Sequence, residues 1–266
     1  MKKTHPLKIR SVWISDIHLG YRGCQAQHLI DFLHSVECEY LYLVGDIIDF
    51  WSLDKSPYWP QAHTNVVRSI LGKAKRGTKV IYIPGNHDEI MREYSGYSFG
   101  NVEIHHDYTH ITADGKQLLV VHGDEFDMIV KHNKFITKLG TSAYDALLIL
   151  NRYINIFRKI LNKNNWSLAK QIKLKVKKAN NYINCFRQTL INVASERNVD
   201  GVICGHIHHE EIYHNDDMHY YNDGDWVESC SSLIEHADGR MEIIHWKPNS
   251  IEAITDETDG DYNRAA

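Results

Sequence analysis

The chain has 266 residues, 43% of them apolar and 24% charged, with a formal net charge of -4. That length suits one sizeable α/β domain carrying an insertion and is short for two independent domains. The slightly acidic balance argues against a general nucleic-acid binder. The five cysteines, Cys24, Cys38, Cys185, Cys204 and Cys230, are odd in number and include no Cys-x-x-Cys pair. They read as reduced thiols of a cytosolic protein, not as disulfides or a thiolate zinc site. The basic start Met1–Pro6 leads into a short strand pattern instead of a signal-peptide apolar region, and no apolar run reaches the length of a membrane span.

In chain order, short β-branched and aromatic runs predict strands at Ile9–Ile14, Tyr40–Val44, Val80–Ile83, Leu118–Val121 and Val202–Cys204. Apolar residues at helical spacing predict helices over Ala26–Val36 and Thr64–Lys75. Ala113-Asp114-Gly115 predicts a hairpin between His110–Thr112 and Lys116–Val121. Ala237-Asp238-Gly239 predicts another between Val227–Glu235 and Met241–Trp246. Residues 125–195 break this rhythm. They read as three helices, Phe126–Leu139, Ser142–Leu161 and Ser167–Ala194, inserted between the fourth and fifth strands. The expected division is a core of residues 1–124 and 196–248, a helical insertion over 125–195, and a loosely ordered polar tail over 249–266.

Each of the five strands ends in a polar cluster. In order these are Asp16-x-His18, Gly45-Asp46-x-x-Asp49, Gly85-Asn86-His87-Asp88, His122-Gly123-Asp124 and Gly205-His206-x-His208. Open α/β sheets carry ligands at the carboxyl ends of their strands, so clusters far apart in sequence can converge. Singly, each has a bland alternative: a turn, a helix cap or a pair of surface histidines. Carboxylate, imidazole and amide oxygen together suit a borderline or hard divalent metal such as manganese, iron or zinc. Of the 18 histidines, the others match no motif.

The order of the five clusters resembles the calcineurin-like metallophosphoesterase superfamily. The resemblance implies an α/β sheet sandwich with two divalent metal ions, manganese first and iron or zinc as alternatives, at the strand ends. It further implies that Asp46 bridges the metals, that Asp16, His18 and His208 complete one site, and that Asn86, His122 and His206 complete the other. His87 takes the position that contacts phosphate and protonates the leaving oxygen. Asp88 and Asp124 are expected to orient ligand imidazoles.

Within the superfamily, Ser15-Asp16-Ile17-His18-Leu19, Gly45-Asp46-Ile47-Ile48-Asp49-Phe50-Trp51, the insertion after His122-Gly123-Asp124, and Gly224-Asp225-Trp226 are similar to the UDP-2,3-diacylglucosamine hydrolase group. That group typically has Arg where this chain has His87. Its cysteine- and aspartate-rich stretch after His-Gly-Asp is replaced here by Glu125-Phe126-Asp127-Met128-Ile129.

The implied substrate is a nucleotide-linked lipid phosphoester. The alternatives are a phosphodiesterase or nuclease of the same superfamily and a non-catalytic scaffold. Residues 146–195 contain no acid and ten basic residues. They read as a basic amphipathic lid, with Lys170, Lys173 and Lys177 as substrate-binding candidates and the inner face of a membrane as a possible surface for a cytoplasmic protein.

Overall fold

The computed structural model describes residues 6–127, 168–215 and 217–246, and the side chains of 168–178 are outside that description. Contacts divide the chain into two compact units, Met1–Asp124 with Ile191–Ala266, and Glu125–Leu190. The elements of the first unit begin with β1 (Leu7–Ile14), α1 (Ala26–Ser35), β2 (Val36–Val44), α2 (Phe50–Lys55), α3 (Gln61–Lys75) and β3 (Lys79–Ile83). Five short strands follow: β4 (Ser98–Phe99), β5 (Val102–Ile104), β6 (Tyr108–Ile111), β7 (Gln117–Val120) and, after the insertion, β8 (Gly201–Cys204). The last are β9 (Glu211–His214), β10 (His219–Asn222), β11 (Ser231–Glu235) and β12 (Met241–His245). Helix α4 (Leu168–Glu196) leads out of the second unit into the first.

Two sheets result. One has the order β12-β11-β1-β2-β3-β5-β4, the other β6-β7-β8-β10-β9. Strands β1, β2, β3 and β5 run parallel in the first, and β7, β8 and β10 in the second. Alternation along each strand sends successive side chains to opposite faces. Val12, Ile14, Leu41, Leu43, Val80 and Tyr82 join the cluster that buries α1 and α3. Trp13, Tyr42, Val44, Ile81 and Ile83 point the other way, onto Leu118, Val120, Ile203 and Tyr221 of the second sheet. The central strands are therefore apolar on both faces, the condition under which parallel sheet is found.

Helix α1 buries Ala26, Leu29, Ile30, Phe32 and Leu33, a stripe at helical spacing. It passes into β2 with no intervening loop, because Val36 is already extended at φ -119°, ψ 144°. Strand β2 therefore starts four residues before the apolar run that predicted it. Helix α2 and strands β4, β5, β9 and β10 were not legible from pattern. They are two to six residues long, too short for a period to be read. The hairpins turn at Gly115 (φ 88°) and Gly239 (φ 87°), a conformation that favours glycine. The first has its strand ends at Ile111 and Gln117, and in the second β11 begins at Ser231 instead of Val227. The helix expected over Ser167–Ala194 appears as α4. Those expected over Phe126–Leu139, apart from its first two residues, and over Ser142–Leu161 lie outside the described residues, as does the polar tail.

One polar network bridges the two sheets. Glu235 on β11 is fully buried. It accepts hydrogen bonds from Arg10 Nη1 (2.7 Å), Ser11 Oγ (2.7 Å) and the Ala113 amide (2.7 Å), and lies 2.9 Å from His110 Nε2. His110 Nδ1 in turn lies 2.8 Å from the Tyr42 hydroxyl. Burial alone would raise the Glu235 carboxyl, but the bonds from His110 and Ser11 outweigh it and bring the group down to about 2. Removing one partner of a buried ion pair strands the other, so Glu235→Ala should cost about 3 kcal/mol in urea unfolding at neutral pH. A depressed carboxylate contributes stability above its unfolded pKa and loses it as pH falls through the folded one. The gap between wild type and variant should therefore narrow as pH drops from the ordinary glutamate range towards about 2. A gap that stays constant over that range would contradict this account.

Candidate metal centre

The carboxyl ends of β1, β2, β3, β7 and β8 bring all five polar clusters together. Two sets each bring three donor atoms within 4.8 Å of one another: Asp16, His18 and His208 form one set, and Asp46, His122 and His206 the other. A third set, His18, Asp49 and His87, adjoins them. Asp16, His18, Asp46 and His122 are buried. His208 Nε2 lies 3.2 Å from Asp16 Oδ1, and His122 Nε2 lies 3.5 Å from Asp46 Oδ2.

The backbone carries strain at these positions. Asp16, His18, Asp46, His206 and His208 have φ values of 49°, 54°, 54°, 70° and 50°. The left-handed region costs an L-residue roughly 1–2 kcal/mol, and such outliers persist where their surroundings over-determine them. The motif glycines clear the space. A Cβ on Gly45 would stand 2.2 Å from His122 Nδ1, and one on Gly85 would stand 2.3 Å from Asp46 Oδ1.

Main-chain hydrogen bonds lock the clusters to one another. The His87 amide donates to Asp46 Oδ1 (2.8 Å) and the His206 amide to Asp16 Oδ2 (2.9 Å). Each buried carboxylate therefore ties its own loop to a second one while keeping its other oxygen towards the cleft. His122 Nδ1 lies 2.9 Å from the Val44 carbonyl. A carbonyl only accepts, so Nδ1 carries the proton and Nε2 is left as the donor atom for a cation.

Asp88 and Asp124 have other partners than the imidazoles expected for them. Asp88 is fully buried and accepts from the amides of Asp46 (3.2 Å), Ile47 (2.8 Å), Ile48 (3.3 Å) and Gly85 (2.6 Å), and from the Tyr82 hydroxyl. It fixes the β2 and β3 loops through their backbone. Asp124 accepts from Arg92 Nη2 at 2.7 and 2.8 Å, because the short 3-10 turn over Glu89–Tyr94 brings that guanidinium to it.

The carboxylate that meets two imidazoles is Asp49, the last residue of the Gly45-Asp46-x-x-Asp49 cluster, whose spacing alone assigns it no role. It is buried, with Oδ2 3.3 Å from His18 Nδ1 and Oδ1 2.9 Å from His87 Nδ1. It also caps α2 by accepting from the Ser52 amide (2.8 Å). A cap three residues ahead of a serine looks ordinary in sequence, and only the fold adds the two rings. Ser15 and Asp223 form a further support missed in the sequence, with Ser15 Oγ donating to Asp223 Oδ1 at 2.7 Å.

The residues fit divalent cations. Asn86 Oδ1 and His122 Nε2 are buried without a hydrogen-bond partner. Such atoms are costly unless something else satisfies them. The oxygen and imidazole donor set suits borderline or hard ions. Without cations, protons take their place. Burial opposes charge at His18, yet bonds to Asp16 and Asp49 raise it to about 10. Burial likewise opposes charge at His122, and Asp46 beside it raises it well above the usual imidazole range. Burial would raise Asp46, but His122 brings it down to about 2. Metal uptake near neutral pH must therefore release protons, and affinity should climb as pH rises towards about 10. Calorimetric titration of the apo-protein with manganese in buffers of different ionisation enthalpy should show this release. Uptake with no proton exchange at pH 7 would contradict the arrangement.

A sequence model of the calcineurin-like phosphoesterase family matches residues 9–210, a span that contains all five clusters. Curated relatives cover most of the chain. A UDP-2,3-diacylglucosamine hydrolase from Aliivibrio fischeri (strain MJ11) is 29% identical over 249 residues, covering 89% of this chain and 98% of the relative. Proteins of the same name from Haemophilus influenzae (strain PittGG) and Neisseria gonorrhoeae (strain ATCC 700825 / FA 1090) are 25% and 24% identical. They cover 85% and 84% of this chain and 94% and 92% of their own lengths. With the family match spanning more than half the chain, and donor groups for cations gathered at the strand ends, the chain belongs to the calcineurin-like phosphoesterase family and is a metal-dependent phosphoesterase.

Proposed function

We propose that the chain hydrolyses the phosphoanhydride of a nucleotide-linked lipid of the UDP-2,3-diacylglucosamine kind, using two divalent cations. Asp16, His18 and His208 would hold one, Asn86, His122 and His206 the other, and Asp46 would be shared. The observation that carries the reading is the pair of donor groups meeting at Asp16 and Asp46. The substrate class is supported by the relatives' name over most of their length. When bound, two such cations supply the positive charge that polarises a phosphoryl oxygen and acidifies the attacking water. Manganese suits the oxygen- and nitrogen-rich set.

The chain's own residues do the positioning. The Nδ1 of His87 faces Asp49, so its Nε2 turns into the cleft, 3.9 Å from Asp46 Oδ2. A proton held at that Nε2 is placed for the leaving oxygen. Trp51 lies against the His87 ring with centroids 4.2 Å apart and limits where that ring can swing. Retention of a membrane-linked substrate at the inner face of a bilayer belongs to the same reading. It rests on the acid-free stretch over residues 146–195, where Lys170, Lys173 and Lys177 remain the substrate-binding candidates.

The discriminating experiment assays manganese-, iron- and zinc-loaded protein in parallel on a UDP-diacylsugar, an oligonucleotide and bis-p-nitrophenyl phosphate. Cleavage of the UDP-diacylsugar at its anhydride is expected. Preferential oligonucleotide cleavage would move the reading to a nuclease. Asp46→Asn should remove turnover and lower metal content together, and a variant retaining both would overturn the bridging role. His87→Ala should lower turnover by roughly 10²–10⁴-fold with metal content kept. Loss of metal from that variant would make His87 a ligand instead of a proton donor.

A further inference from the structure

Beside the metal centre, the turn that follows His18 carries an arginine that no step above uses. The Tyr21 amide donates to the His18 carbonyl (2.9 Å), so Arg22 stands one residue past a turn anchored on a candidate ligand. The turn is held from below. The Gly20 amide donates to Nδ1 of buried His63 (3.0 Å), and Tyr58 and Trp59 pack edge-on against that imidazole at 5.7 and 5.4 Å. It also packs against α2, since a Cβ on Gly20 would stand 2.8 Å from Leu53 Cγ. The Arg22 guanidinium sits over the Tyr58 ring, 4.4 Å from its centroid. Among the described residues no carboxylate pairs with Arg22, and its side chain is exposed.

An aromatic ring engages the face of a guanidinium and leaves its N–H edge free. That edge matches a phosphate in bidentate fashion. An arginine on a surface usually spends its edge on a neighbouring acid or on water alone. Here the face is fixed by Tyr58, the edge has no acidic partner among the described residues, and the turn begins at the metal cluster.

We propose that Arg22, braced by Tyr58, is the receptor for the second phosphate of a diphosphate substrate, the phosphate that is not attacked. This rests on the reading above that a phosphoanhydride is the bond cleaved. It assigns selectivity for diphosphates over simple phosphodiesters to a residue outside the metal cluster. Exposed Tyr21 and Trp59 flank the same turn and give the remainder of the substrate apolar surface to lie on.

The test is calorimetric binding of uridine diphosphate and uridine monophosphate to the manganese-loaded full chain. The wild type should prefer the diphosphate. Arg22→Gln should weaken the diphosphate roughly 10–100-fold and the monophosphate far less, so the preference collapses. Arg22→Lys should recover only part, because a point charge lacks the fork. Tyr58→Leu should lose part of the preference and Tyr58→Phe should keep it. Equal weakening of both ligands, no weakening of the diphosphate, or no preference in the wild type would each overturn the assignment. Metal-dependent turnover of bis-p-nitrophenyl phosphate by the wild type is recorded alongside. Its absence removes the phosphoesterase mechanism proposed, whereas its presence with an unaltered diphosphate preference in Arg22→Gln removes the Arg22 receptor alone.

Discussion

The architecture turns on two carboxylates buried where water cannot neutralise them. Asp16 and Asp46 sit at the ends of neighbouring parallel strands, almost wholly out of solvent. An isolated buried charge is prohibitively costly, so it must be paired and hydrogen-bonded. The surrounding structure meets that requirement from several directions. Imidazoles from β7, β8 and the β1 loop converge on the pair, backbone amides of His87 and His206 donate to it, and five residues accept left-handed backbone to make the convergence possible. A centre of this kind is incomplete with protons alone, since Asn86 Oδ1 is a buried acceptor that an imidazolium proton does not reach.

The parts that hold the centre act on the backbone more than on the ligands. Asp88 gathers amides from two loops and a tyrosine hydroxyl, so its effect on the cations is indirect and geometric. Burial keeps its carboxyl above the ordinary range, with Asp46 adding in the same direction. Asp49 is the exception that acts on rings. It sets Nδ1 of both His18 and His87 and so couples a candidate ligand to the candidate proton donor through one carboxylate. A histidine at position 87 with a carboxylate partner has a different reach from the arginine typical of the UDP-2,3-diacylglucosamine hydrolase group. Arg92, in the turn after the Gly-Asn-His-Asp cluster, is engaged by Asp124.

What could be read from sequence was what burial writes into it. Strands β1, β3, β7 and β8 are buried along most of their length, and each ends in a polar cluster, so both strand and motif were visible. Strands β4, β5, β9 and β10 are only two to four residues long, and β4 and β9 lie at sheet edges. Their sequences, such as Ser98-Phe99 and Glu211–His214, carry no period that separates them from loop. The roles of Gly45 and Gly85 were invisible for another reason, since the atoms they make room for belong to His122 and Asp46, far away along the chain. Asp49 and Asp124 show the same limit. Asp49 carried no role in the sequence and orients two rings. Asp124 looked like a ring-orienting group and receives Arg92. In each case a distant element decided the partner.

The central claim is that Asp46 stands between two cations. Anomalous diffraction from crystals of manganese-loaded protein tests it most directly. The account predicts two peaks about 3.5–4 Å apart, one beside Asp16, His18 and His208, the other beside Asn86, His122 and His206, with Asp46 between them. A single peak, or a peak held by His18, Asp49 and His87, would contradict it.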